Sequence, residues 1–194
     1  MRANVASATK TESAAPRQDS EGIPRKRIPK LYLVITNISK RPNIRALLEL
    51  AAAFGCDKVL VVGQQKFDIS PKGTDIPRSI REHVERGGLH IERYSSWEAC
   101  INFLSSHGIR LVGVEIHVDA RPIEAYLDYK DTAFLMGNEG QGINEKHMKS
   151  CDAFVTIPQY GGGTASLNVY VAASIVLHSF HQWQQGEFSK HNSS

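Results

Sequence analysis

Short apolar runs alternate with amphipathic stretches from residue 31 onward. Six runs rich in β-branched and other apolar residues predict strands at 31–36, 58–62, 89–94, 109–114, 132–136 and 153–157. Apolar positions at helical spacing, together with serine starts and glycine stops, predict helices at 43–55, 78–86, 95–107 and 166–183. The chain therefore alternates strands with helices, with a polar loop at 64–77.

The predicted strands are mostly apolar along their whole length, and helices separate them. Strands of this kind are buried on both faces, which predicts an α/β fold with a mainly parallel sheet and helices on both faces. In open sheets of this type, ligands bind outside the carboxyl ends of the strands. The loops at 36–43, 137–142 and 158–166 each follow a predicted strand, so we expect them at one edge of the sheet.

Charge and composition set the two ends apart from the rest of the chain. Residues 1–30 hold seven Lys or Arg and three acidic residues, whereas the whole chain carries +3. Because residues 1–29 have almost no large apolar side chains, they are predicted to form a disordered basic tail. The folded domain is predicted at 30–186, and 187–194 as a disordered C-terminal end. The basic run 24–27 is either a solvated linker or a segment that attracts a polyanion or directs the protein to the nucleus.

Composition also excludes two classes of protein. No apolar run approaches the ~18–20 residues that span a bilayer, which excludes a transmembrane protein. Cys56, Cys100 and Cys151 are an odd number of scattered cysteines without a CxxC pair, which excludes a disulfide scaffold and suits a reducing compartment. No His/Cys cluster has metal-ligand spacing, so no metal is expected. The predicted location is the cytoplasm, with the nucleus as the alternative.

Two glycine-rich loops are the candidates for chemistry. The first, Gly-Asn-Glu-Gly-Gln-Gly at 137–142, lets the backbone turn sharply and approach a ligand, but its spacing is neither GxGxxG nor a phosphate loop. The second has three consecutive glycines at 161–163, followed by Ser166 and Asn168. Each has a structural alternative: a glycine turn with Glu139 in solvent, and a helix cap with an amide that satisfies local backbone.

Three motifs, in order, resemble the SpoU (TrmH-type) branch of the SPOUT RNA methyltransferases. They are Pro-Asn-Ile-Arg-Ala-Leu-Leu at 42–48 with Phe54-Gly55, Leu-Met-Gly-Asn-Glu-Gly-Gln-Gly-Ile at 135–143, and Ile157-Pro158 followed by Ser-Leu-Asn-Val at 166–169 and Val-Ala-Ala at 171–173. The resemblance spans about residues 31–184. It implies S-adenosylmethionine as cofactor, methylation of a ribose 2′-hydroxyl in RNA, a trefoil knot at the carboxyl ends of the sheet, and a homodimer through the C-terminal helix. Transfer RNA is the implied substrate, with ribosomal RNA as the alternative.

The resemblance also implies which residues form the site. The cofactor would lie against Leu135, Met136, Gly137, Asn138, Gly140, Ile157, Gln159, Ser166 and Leu167. The implied catalytic residues are Asn43, Arg45, Glu139, Ser166 and Asn168. Asn43 would shape the site at the ribose and phosphate, and Glu139 and Asn168 would order the loops and the substrate. Ser166 would bind near the target nucleotide. Without the resemblance, Asn43 is interpreted as an N-cap of its helix.

One position departs from the family's pattern. The family usually has an arginine six residues after the motif asparagine, proposed to activate the hydroxyl, and Glu49 stands at that position. Arg45 lies one turn earlier on the same helix face, so it either supplies the missing cation or pairs with Glu49 as a surface salt bridge. The reversed charge leaves a second hypothesis, a catalytically inactive relative that binds RNA or a partner protein.

Overall fold

The fold is built on one sheet in which all strands pair in parallel. The computed structural model describes residues 27–70, 72–126, 130–138, 140–162 and 166–191, with side chains described to residue 186. In these ranges the strands are β1 (Leu31–Thr36), β2 (Lys58–Val62), β3 (His90–Tyr94), β4 (Arg110–Val114), β5 (Arg121–Pro122), β6 (Thr132–Met136) and β7 (Ala153–Thr156). Their order across the sheet is β3-β2-β1-β6-β4-β7-β5. The predicted parallel sheet is confirmed.

Helices cover both faces of this sheet. They are α1 (Arg41–Ala53), α2 (Arg78–Glu85), α3 (Trp97–Ser106), α4 (Glu145–Met148) and α5 (Val169–His191). Leu47 of α1, Ile80 of α2 and Leu177 of α5 belong to one buried cluster, whereas Cys100 and Leu104 of α3 belong to another. The two clusters are the two sides of the core.

Successive residues of β1 divide between these two clusters. Leu33 and Ile35 pack with α1, α2 and α5, and Tyr32 and Val34 pack with α3. Side chains of a strand alternate between faces, so a strand covered on both faces has no polar side. This burial explains why β1 reads as a continuous apolar run, and it confirms the prediction of helices on both faces.

Some element boundaries differ from the predicted ones. Helix α1 begins at Arg41, with Lys40 as its N-cap and Pro42 in the first turn, where a missing N–H is tolerated. Asn43 is therefore a buried residue inside the first turn, and its interpretation as an N-cap is wrong. The two-residue strand β5 and the four-residue helix α4 were not predicted, since neither is long enough to show a period.

The two ends of the domain extend further than predicted. Helix α5 continues to His191 rather than ending at residue 183, so helical backbone extends into the segment predicted as the C-terminal end, 187–194. At the other end, Arg27 forms an ion pair of 2.7 Å with Asp131, and Gln184 donates a hydrogen bond of 2.8 Å to the Pro29 carbonyl. The rest of the predicted tail, residues 1–26, lies outside the described residues.

The four remaining structural expectations concern a helix cap, the cysteines, membrane-spanning helices and the knot. Of the two serines at the predicted helix start, Ser95 and Ser96, it is Ser96 that caps α3, because its side chain accepts a hydrogen bond from the Ala99 N–H. The three cysteines are free, and burial raises the pKa of each thiol to about 12. Among the helices of the described ranges, none has both the length and the hydropathy to cross a bilayer. The trefoil knot stays a prediction, because residues 139 and 163–165 lie outside the described ranges.

The small helix α4 is attached to α3 through aromatic contacts. The His147 ring stacks on Trp97 with 3.9 Å between ring centroids, and the Trp97 Nε1–H donates to the Ser150 hydroxyl at 3.0 Å. Burial, assisted by neighbouring Lys146, lowers the pKa of His147. The ring therefore stays neutral at pH 7, and α4 is held at the start of the segment that leads into β7.

We expect Gly113→Ala to destabilise the fold. A Cβ at this position of β4 would lie 2.7 Å from the Phe154 ring and 3.2 Å from the Cys151 sulfur. Overpacking of this kind costs about 1–3 kcal/mol, which urea unfolding measures. Gly186→Ala is the control, since nothing lies within 4 Å of its Cβ position and the helix should gain up to about 1 kcal/mol. Equal effects of the two substitutions would contradict the packing described at β4.

Candidate functional site

A cavity of about 530 Å³ opens at the carboxyl ends of β4, β6 and β7. Its wall is formed by residues of the segments that follow these three strands and by the start of α5: Val114, Glu115, Ile116, His117, Met136, Gly137, Asn138, Gly140, Gln141, Gly142, Ile143, Met148, Thr156, Ile157, Gln159, Ser166, Leu167, Val169 and Ala172. We call it the strand-end cavity. It lies at the edge of the sheet where the sequence predicted a site, because two of the three predicted loops contribute to it.

Asn138 organises the glycine loop after β6. Its main chain exchanges two hydrogen bonds of 2.9 Å with Gly142, which closes the loop as a narrow turn. Its side-chain oxygen accepts the N–H groups of Gly140 and Gln141, and its side-chain nitrogen donates to the Asn37 carbonyl at 2.6 Å. The loop that follows β1 is thereby tied to the loop that follows β6.

The carboxylate of Glu115, just after β4, lies close to two glycines of the loop after β6. Its carboxylate accepts the Ile116 N–H at 2.9 Å and the Ile143 N–H at 2.9 Å. A Cβ at Gly142 would collide with this carboxylate, and one at Gly137 would lie 3.0 Å from it. Gly142 also has a φ of +65°, which disfavours other residues. The positive φ favours glycine at 142, and at 137 the Gly142 backbone, 3.1 Å from a Cβ, adds to the crowding by the carboxylate.

The glycines of the second loop are not explained by crowding from described residues. No atom of the described part of the chain lies within 4 Å of a Cβ built at Gly161 or Gly162. Within the described part of the chain, no neighbouring backbone therefore requires glycine at these two positions. Gly163 lies outside the described ranges.

The lining combines apolar side chains, backbone polar groups and one carboxylate. Met136, Ile157 and Leu167 supply apolar surface, and Glu115 supplies negative charge. The His117 ring stacks on Phe154 with 4.5 Å between centroids. Among the described lining residues there is no lysine or arginine. The cavity thus suits a ligand with a flat apolar part and a positive charge, and it does not suit a triphosphate.

The structure brings together most of the residues predicted to bind a cofactor. Eight of the nine line the strand-end cavity: Met136, Gly137, Asn138, Gly140, Ile157, Gln159, Ser166 and Leu167. Leu135 does not, because it is fully buried on the face of the sheet that packs against α3. Its side chain is part of the core and cannot touch a ligand in the cavity.

The residues predicted as catalytic are dispersed in the single chain. Ser166 lines the strand-end cavity and is exposed. Asn168 is exposed but does not line it, and its side-chain oxygen accepts the Tyr170 N–H at 3.1 Å, as a helix cap does. Asn43 is buried in α1 and also lies outside the lining. Glu139 falls outside the described residues.

Arg45 lies in a different cavity. Its guanidinium donates to the carbonyl oxygens of Thr74 and Asp75, both at 3.3 Å. Glu49 accepts a hydrogen bond from the Ser79 hydroxyl at the start of α2. Among the described residues, Arg45 and Glu49 form no ion pair with each other, so the predicted surface salt bridge between them is wrong. In the single chain, Arg45 does not line the strand-end cavity either.

The sequence interpretation missed Glu115, Ile116 and His117, which line the cavity. Their position in the sequence does predict this location, because they follow the predicted strand at 109–114 and so lie at the same edge of the sheet as the glycine loops. They were passed over because they carry no glycine and match no motif. In the described part of the chain, no three His, Cys, Asp or Glu side chains lie close enough to hold a metal ion.

Comparison with known proteins identifies the family. Residues 30–178 match the sequence profile of the SpoU rRNA methylase family. The chain belongs to this family. A tRNA (guanosine(18)-2′-O)-methyltransferase of Thermus thermophilus is 30% identical over 168 residues, which cover 84% of this chain and 80% of that protein.

Other relatives of this SpoU-family chain are longer. An uncharacterised tRNA/rRNA methyltransferase of Mycolicibacterium paratuberculosis is 27% identical over 82% of this chain, which spans about half (49%) of that protein's length. The crystal structure of the SpoU methyltransferase AviRb from Streptomyces viridochromogenes superposes with a TM-score of 0.68 at 25% identity, over 89% of this chain and 66% of that one. AviRb in complex with the cofactor AdoMet (S-adenosylmethionine) superposes with a TM-score of 0.64 at 22% identity, over 90% and 66% of the two chains.

We expect Glu115→Ala to loosen the loop after β6. The Ile116 and Ile143 N–H groups would each lose their acceptor. Ile116 is exposed, so water can replace the carboxylate there, whereas Ile143 is buried and its unpaired donor costs about 1–3 kcal/mol. Amide hydrogen exchange followed by NMR should show at least about a tenfold faster exchange at Ile143. Glu115→Gln should fall between, since one carbonyl oxygen remains.

Glu124→Ala is the matched control for this substitution. Glu124 is an exposed carboxylate nine residues further along the chain, and its side chain has no partner among the described residues. Its loss should leave Ile143 exchange unchanged. If Ile143 exchanged at the wild-type rate in Glu115→Ala, the loop would not depend on the carboxylate.

Proposed function

We propose that this SpoU-family chain is an S-adenosylmethionine-dependent methyltransferase that modifies a ribose 2′-hydroxyl in RNA, with tRNA as its substrate. The observation that carries the proposal is the strand-end cavity, which the family's own motif residues line. The Thermus relative, named for 2′-O-methylation of guanosine 18 in tRNA, supports the choice of reaction and substrate.

The residues present in the cavity fit this cofactor. An adenine ring needs apolar surface and a few hydrogen bonds, which Ile157, Leu167 and the backbone of the glycine loop offer. The sulfonium is a cation, and the Glu115 carboxylate is the negative charge among the described lining residues. A volume of about 530 Å³ lies within the range of small-molecule sites.

The chemistry that follows is a displacement at carbon. When bound, the cofactor supplies a methyl group on a positively charged sulfur, so that an oxygen–carbon bond forms as the carbon–sulfur bond breaks and sulfur keeps the electron pair. The chain must hold the ribose oxygen in line and take up its proton. Ser166, exposed at the cavity, is placed to bind the sugar, and Glu115 and His117 are the titratable side chains of the described lining.

The proposed enzyme is a homodimer through α5. In the single chain this helix leaves Tyr170 39% exposed and Val171 and Ile175 only partly buried. Apolar side chains on a face of this kind gain stability when a second copy covers them. Light scattering should give about twice the 21.5 kDa mass of one chain, and the mass of one chain would contradict the dimer.

A catalytically inactive, RNA-binding relative is the second candidate. The specific observation in its favour is the position of the charges: Glu49 replaces the family's usual arginine, and Arg45 is hydrogen-bonded to backbone carbonyls outside the strand-end cavity. This candidate predicts cofactor and RNA binding without methyl transfer.

The experiment is methyl transfer from labelled S-adenosylmethionine to an unmodified tRNA transcript, with mass spectrometry of the product nucleosides. The proposed function predicts a 2′-O-methylated nucleoside. Ser166→Ala and Asn168→Ala should each lower the rate at least about tenfold, as loss of a positioning hydrogen bond does. Asn168→Ser, which keeps a capping oxygen, separates loss of the cap from loss of the amide.

Two results would contradict the proposed function. Methylation of a base instead of a ribose would overturn the reaction, and tight cofactor binding without transfer to any RNA would favour the second candidate. Wild-type rates in both alanine variants would show that these two residues are not part of the site.

A further inference from the structure

A second cavity, separate from the strand-end cavity, lies between α1 and α2. It has a volume of about 520 Å³ and is lined by Arg45, Glu49, Thr74, Pro77, Arg78, Ser79 and Arg81. We call it the arginine cavity. It presents three guanidinium groups and one carboxylate, and none of its residues lines the strand-end cavity. The arginine cavity therefore has a net positive charge, whereas residues 31–194 as a whole carry little net charge.

Two of the arginines are fixed by neutral groups. Arg45 donates to the carbonyls of Thr74 and Asp75, and the Arg81 Nη2 donates to the Ile76 carbonyl at 3.2 Å. A carbonyl oxygen orients a guanidinium but does not cancel its charge. These two cations are therefore held in place before any ligand arrives, which lowers the entropy cost of binding an anion.

The cavity also has donors that are not used within the described part of the chain. Arg78 is exposed and its side chain has no partner among the described residues. The Arg81 Nε–H is buried and lacks an acceptor there. The first backbone N–H groups of α2, those of Arg78 and Ser79, also lack an acceptor in the described ranges. Buried or helix-terminal donors of this kind normally have a partner.

Glu49 has a structural role in this wall. The Ser79 hydroxyl donates to its carboxylate, and this contact joins α1 to the first turn of α2. The residue that stands where the family usually has an arginine thus positions a helix that carries two other arginines, Arg78 and Arg81. The cationic group on this side of the molecule is supplied by α2 as well as by α1.

We propose that the arginine cavity binds a phosphate of the RNA backbone, an inference that rests on the proposed function. A guanidinium fork matches the geometry of phosphate oxygens, and free N–H groups at a helix start add to the attraction. The two cavities share no lining residue, so the bound phosphate would belong to a nucleotide near, and not at, the modified one.

Arg78→Gln tests this proposal, because the exposed Arg78 side chain has no hydrogen-bond or ion-pair partner among the described residues and its loss should leave the fold intact. Binding of an unmodified tRNA transcript is measured by fluorescence anisotropy at several salt concentrations. We expect binding to weaken about tenfold at low salt, with the slope of log K against log salt reduced by roughly 0.7–1. The melting temperature serves as the check on folding.

Arg86→Gln is the matched control on the same helix. Arg86 follows the last residue of α2, is 78% exposed, and pairs with Glu82 on the surface, so its loss removes the same charge two turns away. It should change RNA binding less than about twofold, since surface pairs contribute little. Equal losses in the two variants would overturn the proposal, because they would reflect net charge alone.

Inorganic phosphate distinguishes an RNA site from a small-anion site. RNA binding is measured with and without about 10 mM inorganic phosphate, which competes for phosphate contacts. A larger loss of RNA affinity in wild type than in Arg78→Gln would support the backbone-phosphate site. If phosphate bound through Arg78 while RNA binding did not depend on it, the proposal would be overturned. Methyl transfer by the wild type reports on the proposed function separately, so failure of one does not imply failure of the other.

Discussion

The carboxylate of Glu115 is the contact on which the geometry of the strand-end cavity depends. It accepts two backbone N–H groups at 2.9 Å, and it fills the space that side chains at 137 and 142 would need. The carboxylate and Gly142 are therefore coupled, since a larger residue at 142 would displace the acceptor and loss of the acceptor would leave the buried Ile143 donor unpaired. Asn138 extends this arrangement to the end of β1 through the Asn37 carbonyl.

Burial on both faces made much of the fold predictable from the sequence. The strands at 58–62 and 132–136 were predicted with their observed bounds, because continuous apolar runs of that length have few other places to lie. Asn43 was misread because a local preference for caps does not show that the helix begins two residues earlier, at Arg41, with Pro42 in its first turn. The contact between Glu115 and Ile143 could not be predicted, because the two residues are 28 positions apart and no local period reports such a contact.

Local sequence patterns predicted only part of the candidate site as well. Motif order correctly brought Ser166, Leu167 and the glycine loop to one cavity, as parallel strands place their carboxyl ends together. It could not show that the Asn168 oxygen caps α5 or that Arg45 faces backbone carbonyls. The outcome is two cavities of opposite character, one with a carboxylate and one with three guanidinium groups. They match the two substrates of the proposed reaction, a cationic methyl donor and a polyanion.

Hydrogen–deuterium exchange with and without S-adenosylmethionine tests the central claim most directly. The account predicts protection in peptides covering residues 114–117, 136–143 and 156–159, the segments that line the strand-end cavity, and unchanged exchange over residues 74–81 of the arginine cavity. Protection confined to residues 74–81, or no protection anywhere at saturating cofactor, would contradict it.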